Sequence, residues 1–275
     1  MKEMKEIINY FAFEKKGNWD KMYEAIQNKE RVATEKIEDF WNIEKNNYIS
    51  IVDDDYPENF KKIYMPPLIL YYAGNKEIMQ KRNNISLYGN ITENDFLKVV
   101  NRIVPKEGVV FSLKMTEQNL KFAKKYAVDG YDFIIVDSGA FDSKLADELK
   151  TIPNILYMSE LPELKKIYIS KQQLFERLLL GVSSQSIFLN PNDQPEEYIK
   201  FVNINAFEKR KSYFIGNKTN VPKNLPGVNV EVDNIKFTKT GNGLASCSTP
   251  KADEKEDQSE QKPEQTKSTS QSRSN

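Results

Sequence analysis

Apolar residues recur at helical spacing over the first 47 residues and then give way to short β-branched runs. Ile7, Ile8, Tyr10 and Phe11 begin one apolar face, Trp19, Met22, Tyr23 and Ile26 a second, and Ile37, Phe40, Trp41 and Ile43 a third. Steps of three and four place such residues on one side of an α-helix. A small helical subdomain is therefore predicted over 1–47, with Asp20 capping its second helix after the Gly17-Asn18 break.

From residue 48 the candidate strands are 49–52, 68–72, 85–88, 109–111, 133–136, 155–158, 187–189 and 212–215. Helical stretches fall between them, near 57–63, 93–104, 116–128, 142–150, 171–181 and 195–209. Strands alternating with helices of this length imply right-handed crossovers and a mainly parallel sheet covered on both faces. The expected fold class is thus α/β, a Rossmann-like domain over 48–225 behind the helical subdomain. Ligands of open sheets of this kind sit at the carboxyl ends of the strands, where the strand order reverses.

After Leu244 the chain has no aromatic residue, Leu, Ile or Val. A segment so poor in apolar surface cannot offset the entropy of ordering, so 226–275 is expected to be a linker and disordered polar tail.

Composition narrows the chemistry. The chain has no histidine, which excludes Ser-His-Asp and Cys-His sites and histidine-ligated metals. Its single cysteine, Cys247, cannot form an intramolecular disulfide and suits a reducing cytosol. Forty basic and forty acidic residues balance to zero, which argues against a uniform basic coat but permits one basic groove. No 18-residue apolar run occurs and the amino terminus is charged. A cytoplasmic protein with no membrane span is the expectation.

The most informative stretch runs from Ile49 to Asn75: a strand, an acidic turn ending in Tyr56-Pro57, a short helix, Pro66-Pro67, a second strand, then Gly74-Asn75. Pro57 suits the first turn of a helix after an aspartate cap, and Pro66-Pro67 stops that helix. Ile85 to Ile91, Phe133 to Gly139, Ser159-Glu160-Leu161-Pro162 and Phe175 to Ser183 follow in order. Together these resemble the DNA-processing protein A (DprA/Smf) family, over roughly 1–216. The resemblance implies a homodimeric protein that binds single-stranded DNA and helps to load a RecA-type recombinase. It implies action by binding, so no enzyme and no cofactor are expected.

The family's basic pocket maps onto Gly89 and Asn90 after one strand and Arg177 on a later helix, with Lys114 and Lys171 close in sequence. Clustered cations are what a phosphate backbone requires. A second strip, Lys209, Arg210 and Lys211 beside Tyr213 and Phe214, combines charge with aromatic rings. These eight residues are the expected DNA contacts. The chain also departs from the family's pattern. Asn90-Ile91 stands in place of a serine or threonine and an arginine. Ser112 to Asn119 lacks the expected glycines, and Phe175-Glu176 replaces an arginine and an asparagine. A degenerate paralogue with a protein-interaction role is therefore the alternative. Ser159 with Glu160 is rejected as a nucleophile and base, and Asp53, Asp54 and Asp55 read as a turn and not a metal site.

Overall fold

The computed structural model describes residues 4–43, 45–81, 83–89, 108–164, 177–179, 181–189, 195–215, 228–230, 236–240 and 244–248. The expected helix near 93–104, with Asn90 and Lys171, lies outside them.

Three helices open the chain: α1 (Met4–Glu14), α2 (Trp19–Gln27) and α3 (Thr34–Ile43). They pack through Ile8, Phe11, Met22, Ala25, Ile37 and Phe40. Asn18, and not Asp20, caps α2: its side-chain oxygen accepts from the Lys21 N–H at 3.0 Å. A capping side chain must stand just ahead of the helix to reach the third amide. Asp20 is already inside the first turn, where its charge suits the helix dipole. Tyr23 leaves the apolar face as well. It is 42% exposed and stacks on Trp19 with ring centroids 4.9 Å apart.

All eight expected strands form. They are β1 (Asn47–Ser50), β2 (Ile69–Gly74), β3 (Asn83–Tyr88), β4 (Val109–Lys114), β5 (Asp132–Ala140), β6 (Ile155–Leu161), β7 (Gln185–Leu189) and β8 (Lys211–Ile215). A ninth, β9 (Val228–Val230), joins the same sheet, whose order is β1-β2-β6-β5-β4-β3-β7-β8-β9. From β6 to β9 every pairing is parallel, while β1 and β2 form an antiparallel border beside β6. The chain winds outward from β3 to β6, then returns to set β7 on the other side of β3. The order therefore reverses between β3 and β7.

Both faces are covered, as the unbroken apolar runs of the inner strands require. On one face Ile85, Phe111, Leu113, Phe133, Ile135 and Tyr157 pack with the amino-terminal helices, α5 (Glu117–Ala127) and α6 (Ser143–Leu149). The other face carries Val110, Ile134, Val136, Leu156, Met158 and Phe188. Over them lie Phe60 from α4 (Glu58–Lys61), Leu178 and Leu179 from a helical stretch, and Phe201 and Val202 from α7 (Pro195–Phe207).

This second face contains a polar line that the apolar pattern did not reveal. Ser112, Ser86, Ser186 and Ser212 stand in register on β4, β3, β7 and β8, all buried. Each hydroxyl is satisfied. Ser112 donates to Asn84 Oδ1, Ser86 meets Ser183, and Asn205 Nδ2 donates to Ser186 at 2.9 Å and Ser212 at 3.1 Å. Short polar side chains let the overlying helices sit close, and buried polar groups persist only where they are paired.

Two further expectations are corrected. Pro57 is itself the residue ahead of α4, with no side chain capping that helix. Asp53 instead ties back the turn, accepting from the Ser50 N–H at 2.8 Å and hydroxyl at 3.1 Å. The segment 226–275 is not wholly linker and tail. It holds β9 and an antiparallel hairpin of β10 (Lys236–Thr240) and β11 (Leu244–Ser248), in which Phe237 lies opposite Cys247. Alternating valines in β9, and threonine with phenylalanine in β10, supply enough strand preference for pairing. The remainder of that segment lies outside the described residues.

Candidate nucleic-acid interface

Gly89 directly follows β3, at the point where strand order reverses. Its φ is +99°, and a Cβ there would strike the carbonyl oxygen of Leu189 at the end of β7. Only glycine tolerates both the dihedral and the close approach. Gly89 is exposed, so backbone is presented to solvent at the place where such sheets take ligands.

Beside it, Lys114 is the last residue of β4 and half-buried. Its carbonyl accepts from Asn119 Nδ2 at 2.8 Å, and the Asn119 N–H is taken by Thr116 Oγ1 at 3.1 Å. Thr116 thereby caps α5, and Glu117 in the first turn pairs with Lys121 at 2.7 Å. A helix start of this kind holds an anion when its amides are open to it. Here a threonine occupies one amide and an acid stands at the same terminus.

Arg177 reaches this edge from the opposite direction. Its Nη2 lies 2.6 Å from Glu160 Oε1 near the end of β6, with the side chains only 13% and 5% exposed. Burial pushes the Glu160 carboxyl up to about 7, against the pull of Arg177. Glu160 Oε2 and Arg177 Nε have no hydrogen-bond partner. Tyr56 stands over the pair: burial, with the Glu160 charge adding, raises its hydroxyl above the usual range. That hydroxyl donates to the Pro67 carbonyl at 2.5 Å. Arg177, expected as a DNA contact, is held against Glu160 with its side chain only 13% exposed.

Ser159 also serves the backbone. It donates to the Gly139 carbonyl at 2.7 Å and accepts from the Leu161 N–H at 3.0 Å. Among the described residues no group of three or more acidic or cysteine side chains is arranged for a metal ion. In the acidic turn, Asp55 pairs with Lys76 at 2.6 Å.

The strip at Lys209, Arg210 and Lys211 lies elsewhere. Lys211 opens β8 opposite Gln185, the first residue of β7. First residues of parallel strands share the amino edge, a strand length of roughly 16 Å from the carboxyl edge. Arg210 donates to the Ser183 carbonyl at 3.0 Å, and Tyr213 and Phe214 are core side chains at 4% and 1% exposure. The structure thus gathers Gly89, Lys114 and Arg177 at one edge and leaves the three later cations at the other. The sequence held a signal for this, since a cation directly ahead of a parallel strand belongs to its amino end.

Residues 47–126 match the family model described as DNA recombination-mediator protein A. No curated protein matches the chain. DNA processing protein A from Streptococcus pneumoniae is a similar solved structure, with 16% identity and a TM-score of 0.57 over 84% of this chain and 95% of that one. This likeness concerns the fold. DNA processing protein A from Helicobacter pylori, solved for its single-stranded DNA binding mode, has 14% identity and a TM-score of 0.48. That match covers 66% of this chain and 85% of the other.

Proposed function

We propose that this chain, whose residues 47–126 match the family model described as DNA recombination-mediator protein A, acts in DNA processing by binding single-stranded DNA. The strand follows the carboxyl edge of the parallel strands. Gly89, followed in sequence by Asn90, admits the phosphate backbone, and Lys114 and Lys171 supply charge. Binding and not catalysis is the activity, a RecA-type recombinase is the protein partner, and the acting form is a cytoplasmic homodimer. The observation that carries this reading is Gly89, an exposed glycine held at φ +99° against Leu189 at the reversal of strand order.

A second reading has its own support. Arg177 is committed to Glu160, and the start of α5 is closed by Thr116 and Glu117. Loss of two anion-holding elements favours a paralogue kept for protein contacts, with weak or no DNA affinity.

Fluorescence anisotropy with labelled oligo-dT separates the two. The first reading expects binding at low salt that weakens steeply as salt rises, because bound cations displace counterions. No binding, or a curve indifferent to salt, overturns it. Retained capture of a recombinase by a folded chain that ignores DNA supports the second.

A further inference from the structure

We propose that Lys62 and Tyr64 extend the carboxyl edge into a base-stacking contact for single-stranded nucleic acid; this rests on the DNA-binding reading above. Tyr64 is 88% exposed and makes no ring contact among the described residues. A tyrosine so placed adds almost nothing to the core, so its ring calls for another explanation.

The ring is also held in position. Ile63, one residue before it, is buried in the second-face core. Met65, one residue after it, adopts φ +54°, an uncommon conformation for a residue with a side chain. Pro66 and Pro67 then fix the next two φ angles. Trp19 Nε1 donates to the Pro66 carbonyl at 2.7 Å, and Tyr56 donates to that of Pro67. A ring mounted on a braced turn stacks with little entropy left to lose.

Topology sets the location. β2 runs antiparallel to β6 with Tyr71 opposite Ser159, so the chain entering β2 arrives at the carboxyl end of β6. Tyr64 therefore borders the same edge as Lys114, three strands along the sheet order. Three strand spacings amount to about 14 Å, a span that a site of about four nucleotides covers.

Charge selects the occupant. Lys61 and Lys62 are exposed; Lys61 pairs with Glu58 at 2.8 Å, and Lys62 has no ion pair among the described residues. A lone aromatic ring with a neighbouring cation matches the alternating bases and phosphates of a single strand. A protein partner would call for a contiguous apolar patch.

The test compares the full chain with Tyr64→Ala, Tyr64→Phe and Lys62→Ala in oligo-dT titrations across salt, with melting temperature checked for each. Tyr64→Ala should weaken binding about fivefold or more without changing the salt slope, and Tyr64→Phe should restore it. Lys62→Ala should weaken binding and reduce the slope by about 0.7. An oligonucleotide carrying 5-iododeoxyuridine should photo-crosslink at Tyr64. Normal binding by Tyr64→Ala together with no crosslink at that residue overturns this inference and leaves the DNA-binding reading standing. Failure of the unaltered chain to bind overturns both.

Discussion

Arg177 Nη2 lies 2.6 Å from Glu160 Oε1, joining the helical stretch over the second face to the end of β6. Both residues come from segments that resemble family motifs, 17 positions apart in the chain. Their meeting turns an expected DNA contact into a clamp between helix and sheet. Removing one member of a buried pair costs about 3–5 kcal/mol, because the other is left buried without its partner. Arg177→Ala should lose stability on that scale in urea unfolding, and the double variant Glu160→Gln/Arg177→Met should recover most of it. Equal losses in the single and double variants would show that the pair is uncoupled.

The same pair predicts a pH dependence. Burial holds Glu160 up at about 7 in the folded protein, whereas an unfolded glutamate titrates near 4.3. Below about pH 4.3 both states keep the proton. Between there and pH 7 the unfolded chain releases it while the folded chain retains it. Stability should therefore fall by about 4 kcal/mol from this site as pH rises through the window, then level off. Glu160→Gln removes the contribution. The stability of the natural chain relative to this variant should drop between pH 5 and pH 7.5, and a constant difference would contradict the assigned protonation.

A packing prediction concerns the same helical stretch. A Cβ on Gly181 would overlap the Phe60 ring of α4, and Phe60 is 1% exposed. Gly181→Ala should destabilise by about 1–3 kcal/mol through overpacking. Phe60→Leu in the same chain should return part of that loss, which thermal unfolding of the single and double variants would measure.

The sheet was legible because its inner strands, buried on both faces, are runs such as Phe133-Ile134-Ile135-Val136 bounded by turn residues. β9 to β11 were not, since Val228-Asn229-Val230 and Lys236 to Thr240 are short runs within a polar stretch of sequence. Asn18 and Asp20 are both good capping residues, and only backbone geometry decides between them. At the candidate site, Gly89 was readable as a glycine after a strand. The engagement of Arg177 was not, because it depends on how a crossover helix passes over β6. Tyr64 went unread for the opposite reason: it is 88% exposed, so periodicity carries no trace of it.

The placement of the cations at two edges leads to a prediction about salt. Lys114 stands at the carboxyl edge next to Gly89, whereas Lys209 and Lys211 flank the start of β8 at the amino edge. A single strand that follows the carboxyl edge meets only the first of these. Each phosphate contact adds about 0.7 to the slope of log affinity against log salt for single strands. Lys114→Ala should therefore weaken oligo-dT binding and flatten that slope by roughly this amount. Lys209→Ala/Lys211→Ala should leave affinity and slope unchanged. Should the double variant flatten the slope and Lys114→Ala leave it intact, the strand runs along the amino edge, and the glycine turn after β3 loses its assigned role.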